Sequence, residues 1–88
     1  IIDLGAIKAI SNGKSLLPAG VKKISGIFEK GDHILVKDQN NVECARGLAS
    51  FSSIEIEKIK GSHSREIKNI LGYSSREEII HKDDLVKV

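Results

Sequence analysis

The run Ile34-Leu35-Val36, the polar tripeptide Gln39-Asn40-Asn41 and the returning segment Val42 to Ala49 decide how the chain is to be read. Ile34 to Val36 is rich in β-branched and aliphatic residues and too short for a helix, so it reads as a strand of a sheet or barrel wall. The three polar residues turn the chain back, and the two arms form a hairpin. Gly47 sits inside the second arm, where a missing side chain signals a bulge or a close backbone approach.

Moving toward the N-terminus, Glu29-Lys30-Gly31-Asp32 is a turn and Val21 to Phe28 reads as a strand with a bulge or bend near Gly26. Ser15-Leu16-Leu17-Pro18-Ala19-Gly20-Val21 is a stiff apolar connector in which Pro18 holds Leu17 extended. Ile1-Ile2 reads as the end of a strand. Asp3 caps a short helix whose apolar face is Ala6, Ile7 and Ile10, and Asn12-Gly13 stops it.

Moving toward the C-terminus, Ser52 and Glu55 form a capping box for a helix that runs through Ile59 and ends at Gly61. Ile67, Ile70 and Leu71 mark a second short helix stopped by Gly72. Ser75 and Glu78 offer another cap before Ile79-Ile80. Lys82-Asp83-Asp84 is a turn, and Leu85 to Val88 is a last strand. The sum is five or six short strands with a few short helices. A small pseudo-barrel closes such strands with the fewest open edges.

The chain has 88 residues, enough for one domain. With two Phe, one Tyr and no Trp, the core must be built from aliphatic side chains. The net charge of +2 permits contact with phosphate without demanding it. No apolar run is long enough to span a bilayer, nothing marks secretion, and the single cysteine suits a reducing cytoplasm. The chain has no Met and opens on Ile1, as a piece of a longer protein would.

Catalytic chemistry needs convergent reactive groups. There is no phosphate-cradling loop ending in Lys-Ser or Lys-Thr and no nucleophile elbow. Cys44 lies within a strand and reads as a buried, inert thiol. His33, His63 and His81 are far apart and, with one cysteine, make no zinc pattern. Glu77-Glu78 and Asp83-Asp84 read as helix-start and turn residues.

The lysines and arginines say more. Lys58, Lys60, Arg65, Lys68 and Arg76 alternate with acids and read as a solvated mixed-charge face. Between Gly5 and Phe28, by contrast, Lys8, Lys14, Lys22 and Lys23 occur with no Asp or Glu. That stretch is the best candidate for an anion-facing patch. Aromatic residues for stacking on bases are almost absent.

In order along the chain, Ile2-Asp3-Leu4-Gly5-Ala6-Ile7-Lys8-Ala9-Ile10 and Ser15-Leu16-Leu17-Pro18-Ala19-Gly20-Val21 resemble the opening of a PUA domain. Gly31-Asp32 and Ala45-Arg46-Gly47-Leu48 are similar to its middle. Phe51-Ser52-Ser53, Ile59-Lys60-Gly61, Ile70-Leu71-Gly72-Tyr73 and Ile80-His81-Lys82-Asp83-Asp84-Leu85-Val86 resemble the tail of bacterial glutamate 5-kinases. The resemblance implies a single PUA domain over residues 1–88, a mainly β pseudo-barrel with short helices. It further implies an N-terminal amino-acid-kinase domain in the same chain, acting in the cytoplasm.

That kinase domain would use ATP and Mg to phosphorylate L-glutamate in the first step of proline biosynthesis. It would hold every catalytic residue, leaving this stretch without a cofactor and with a regulatory or assembly role, within a homo-oligomer. PUA modules elsewhere bind structured RNA through the first helix, the following loop and the last strand. By that resemblance the RNA-facing residues are Gly5, Ala6, Lys8, Lys14, Ser15, Pro18, Ala19 and Gly20. The competing expectation is that Gly5-Ala6 and Ser15 to Val21 are small and stiff only to pack the helix on the barrel.

Overall fold

The structure is a computed structural model that describes residues 1–73 and 76–87. The first helix, α1 (Leu4–Ser11), begins where Asp3 accepts a 2.8 Å hydrogen bond from the Ala6 amide. It closes at Asn12, with Gly13 at φ +77°. A single 3-10 turn follows at Pro18–Gly20, with Leu17 extended before it (φ −101°, ψ 154°).

The hairpin is present as β1 (His33–Lys37) and β2 (Glu43–Leu48), paired antiparallel with Leu35 opposite Arg46. The Asp38 carboxylate organises its turn by accepting from the amides of Asn40 and Val42. Ser52 and Glu55 make the reciprocal capping box at the start of α2 (Ser53–Ile59). Then α3 (Ile67–Leu71) ends on Gly72 at φ +83°. A 3-10 turn at Lys82–Asp84 leads into β3 (Leu85–Lys87), which pairs antiparallel with β2. The sheet order is β1-β2-β3.

The core is aliphatic, as the composition demands. Ile2, Ile10, Leu16, Val36, Ala45, Ile56, Ile59, Ile67, Ile79 and Ile80 are buried, and Phe51 is the aromatic among them. Two isolated bridges tie the sheet to the connector: Ile2 to Val21 and Leu16 to Ile80.

The expected strand count is met in part: among the described residues three strands and these bridges stand where five or six strands were expected. The expected strand at Val21 to Phe28 is the main difference. Only Val21 bridges, and residues 24–27 have no ladder partner. The bulge lies at Lys22-Lys23, whose two amides both donate to the Ile1 carbonyl. At Gly26 the chain makes the bend that was the other expectation there, exposed and at φ +81°. The cap expected at Ser75 and the strand end at Val88 fall outside the described residues.

Candidate nucleic-acid interface

A shallow groove of about 350 Å³ lies between α1 and the connector that follows it. Asp3, Gly5, Ala6, Ala9, Lys14, Ser15, Leu17, Ala19 and Gly20 line it. The local sequence explains its shape. Asp3 and Gly13 fix the two ends of α1, and Pro18 starts the turn that lays Ala19 and Gly20 against its first turn. The Asp3 amide donates to the Gly20 carbonyl at 3.0 Å, which pins the turn to the helix start. A β-carbon on Gly20 would come within 2.5 Å of the Ala6 β-carbon, so the close approach itself requires glycine there.

Six of the sequence-predicted residues therefore meet: Gly5, Ala6, Lys14, Ser15, Ala19 and Gly20. The others do not. Pro18 is fully buried beneath the groove, where its carbonyl accepts from the amides of Val21 (3.0 Å) and Gly61 (2.7 Å). It holds the surface up and does not form it. Lys8 is exposed on α1 outside the groove. Lys22 and Lys23 follow the connector at the opposite end of α1 from Lys14, and α1 is roughly 12 Å long. The acid-free stretch is thus two separate groups of lysines, not one patch.

The structure adds groups that spacing alone did not single out. The Lys82 amide donates to the Ser15 hydroxyl at 2.8 Å, and the Lys87 ammonium donates to the Ser11 carbonyl at 3.3 Å. The last turn and β3 therefore stand beside the C-terminal end of α1. A lysine there also meets the partial negative charge of the helix end. Asp83 and Asp84 belong to the same turn and offset part of that positive charge. The long-range bridge from Leu16 to Ile80 within the chain creates this juxtaposition, and no local sequence signal reports it.

The cysteine and the three histidines lie outside the groove. Cys44 is half-buried on β2, not fully buried, and its thiol donates to the Val36 carbonyl at 3.4 Å. Burial, reinforced by the charge of Asp38, pushes the thiol's pKa up and holds it protonated. His63 and His81 use Nδ1 to accept from backbone amides, of Arg65 and Asp83 respectively, and so cap the two 3-10 turns they precede. His33 is the exposed first residue of β1. Among the described residues no three metal-ligating groups gather in one place, and no helix is long and apolar enough to cross a membrane.

Residues 1–71 match the family model of the PUA domain, and the chain belongs to that family. A PUA domain protein from Aeropyrum pernix K1, crystallised with tartrate, shares the fold: its TM-score is 0.67 at 21% identity, over 91% of this chain and 38% of that one. The curated relatives are longer proteins. The glutamate 5-kinase of Pelagibacter ubique (strain HTCC1062) is 69% identical over 88 residues, covering all of this chain and 24% of the kinase. That of Brucella ovis is 48% identical over 85 residues, 97% of this chain and 22% of the kinase. The chain thus spans about a quarter of the length of these relatives and corresponds to their C-terminal part.

Proposed function

We propose that this chain is the non-catalytic C-terminal PUA module of a cytoplasmic glutamate 5-kinase. In this reading an N-terminal amino-acid-kinase domain of the same polypeptide binds ATP and Mg and phosphorylates the side-chain carboxylate of L-glutamate. The PUA module assists homo-oligomer assembly or the enzyme's response to proline. The observation that carries the reading is the 69% identity along the whole chain to a protein of that name. The site chemistry agrees with it. Cys44 is held as a thiol, and His63 and His81 spend Nδ1 on capping turns, which supports a structural part for these side chains.

The test is to delete residues 1–88 from the parent kinase. Phosphoryl transfer is expected to survive, while the mass in light scattering or the inhibition by proline changes. Unchanged mass together with unchanged inhibition would end the proposal.

A second reading rests on a separate observation. Gly5, Ala6, Lys14, Ser15, Ala19 and Gly20, the residues implied by resemblance to RNA-binding PUA modules, gather on one groove with Lys82 and Lys87 nearby. In this reading the small residues admit a sugar-phosphate backbone and the lysines meet phosphates. Titrating the full-length protein with a structured RNA at several salt concentrations tests it. Binding should weaken as salt rises, and Lys14→Gln should lower the logarithmic slope by about 1. No binding at low salt would remove this reading.

A further inference from the structure

Two short turns of the chain are built alike, each on a histidine. His63 precedes the 3-10 turn Ser64–Glu66, and His81 precedes the 3-10 turn Lys82–Asp84. In each, the histidine backbone is extended, with ψ 145°, and its carbonyl accepts from the amide three residues on, Glu66 or Asp84, at 2.9 Å. In each, the ring nitrogen Nδ1 accepts from the amide two residues on, Arg65 at 3.2 Å or Asp83 at 3.1 Å. An imidazole accepts there only while Nδ1 carries no proton, because the charged ring has two donors and no acceptor. Both caps therefore require a neutral ring with its hydrogen on Nε2.

The turns differ at the residue that supplies the capping amide. After His63 it is Arg65, a cation. After His81 it is Asp83, whose carboxylate Oδ2 stands 3.5 Å from the same Nδ1. That nitrogen thus has two partners in reach on one residue. The neutral ring takes the amide as a donor, and the charged ring gives its new proton to the carboxylate. The His81 side chain is 30% exposed and that of Asp83 79%, so solvent protons reach both. The other charged groups around His81 are Lys82 and Asp84 on its own turn, Lys14 beside Ser15 on the connector, Arg46 beside Gly47 on β2, and Lys87 on β3. Of the acids among these groups, Asp83 is the one within ion-pair reach of the ring.

The turn that His81 caps is a seam between distant parts of the chain. The Lys82 amide donates to the Ser15 hydroxyl at 2.8 Å, Ile80 bridges to Leu16, and the Asp84 carbonyl lies over Gly47 just before β3 pairs with β2. Lys82, Asp83 and Asp84 leave the turn with one excess negative charge, which His81 cancels when it gains a proton. The turn stands beside the C-terminal end of α1, where Lys87 reaches the Ser11 carbonyl. One protonation therefore changes both how the turn is held and the charge it presents beside α1.

We propose that His81 is a proton-operated latch on the last turn: neutral, it clamps the Asp83 amide; protonated, it releases that amide and pairs with the Asp83 carboxylate. The step takes one proton from solvent onto Nδ1 and breaks no covalent bond. Histidine suits such a device, because imidazole changes charge near neutral pH. The His63 turn cannot make the same exchange. Arg65 stands at the matching place, repels a charged ring and has no side-chain acceptor to offer. The latch goes beyond the proposed function and depends on neither reading of it, because it holds whatever the groove takes and whatever the parent protein catalyses.

The test follows ring, amide and carboxylate together by NMR, in the full-length parent protein labelled with nitrogen-15 and carbon-13 at histidine and aspartate. With the ring neutral, Nδ1 of His81 should show the signal of an unprotonated ring nitrogen. On acidification, the Asp83 amide and the Asp83 carboxyl carbon should both step at the pH where the His81 ring titrates. The Asp83 amide should then exchange with solvent roughly fivefold faster, after correction for intrinsic rates, as the loss of one ordinary hydrogen bond implies. In His81→Asn, whose side chain caps without titrating, both steps should vanish from that pH range. A proton on Nδ1 of the neutral ring would overturn the inference, as would an Asp83 amide or carboxyl signal that stays still while the ring titrates. So would steps that persist unchanged in His81→Asn.

Discussion

The two flanks of the molecule are finished to different degrees. On the flank where the connector meets the C-terminal segment, distant stretches of backbone are held in close contact. Leu16 bridges to Ile80, the Ser15 hydroxyl takes the Lys82 amide, and Gly47 lies under the Asp84 carbonyl. On the β1 flank, residues 24–27 have unpaired backbone and Ile27 stands in solvent. Where backbone and side chain close on Gly47, a methyl group has no room; around Gly26 it meets nothing.

The largest effect should come from adding the same methyl group on each flank. At Gly47 a β-carbon would lie 2.5 Å from the Asp84 carbonyl oxygen and 2.8 Å from Ile80 Cγ2, and a backbone atom cannot swing aside as a long side chain can. Gly47→Ala should cost about 3 kcal/mol in urea unfolding. Gly26→Ala meets nothing within 4 Å. It pays only for its φ of +81°, about 1 kcal/mol. Equal losses would mean that the flanks are equally packed and would break the comparison.

A smaller pair of changes sharpens the reading of the groove. Gly20→Ala would push Ala6 and with it α1 outward, and should cost about 1–2 kcal/mol. Gly5 is exposed, and its added β-carbon would meet only Asp3 Oδ1 at an ordinary 3.5 Å. Gly5→Ala should leave stability unchanged or raise it by up to about 1 kcal/mol, since alanine is the better helix former. If Gly5 serves RNA, Gly5→Ala weakens RNA binding while the thermal midpoint holds. If it serves packing alone, neither changes. Gly5 is thereby the position that discriminates between the two roles.

What the sequence made legible was what local chemistry decides. Asp3, the Ser52/Glu55 box, Gly72, the turn before β1 and the hairpin around Asn41 are each set by hydrogen bonds or backbone freedom within four residues, so composition and spacing expose them. Gly47 was also legible, because a glycine inside a β-run needs a reason. The misreadings share a different cause. Val21 to Phe28 has the composition of a strand, but a strand exists only with a partner, and residues 24–27 have none here. Pro18 sits in a surface-like motif, yet the distant Gly61 amide covers its carbonyl. Lys8, Lys14, Lys22 and Lys23 are close in sequence, but α1 separates their ends. The lining of the candidate groove, from Asp3 to Gly20, comes from one stretch of chain and could be read from it. The placing of Lys82 and Lys87 beside Ser15 and Ser11 depends on contacts spanning most of the molecule.

The smallest effect concerns a contact outside both flanks. Glu55 on α2 accepts from the Ser52 amide with Oε1 and from the Tyr73 hydroxyl with Oε2. Burial pushes the Glu55 carboxyl upward, but the hydrogen bonds from Tyr73 and Ser52, aided by the charge of Lys30, together outweigh it and hold the pKa below the ordinary value. The hydrogen bond to Glu55 pushes the exposed Tyr73 phenol the other way, upward. A carboxyl lower in the folded than in the unfolded chain binds fewer protons when folded. Its contribution is therefore present at neutral pH and is lost as pH falls through the acid range to the folded value. The phenol's contribution is present at neutral pH and is lost only as alkali rises past the ordinary tyrosine range. The stability difference between the parent sequence and Glu55→Gln should accordingly be greatest near neutrality and shrink on acidification. Tyr73→Phe should shift that decline toward higher pH, because the carboxyl loses a donor that favours its ionised form. A Glu55→Gln difference that stays constant from neutral to acid pH would show that the contact is not held by charge, and that Glu55 acts through the shape of its cap alone.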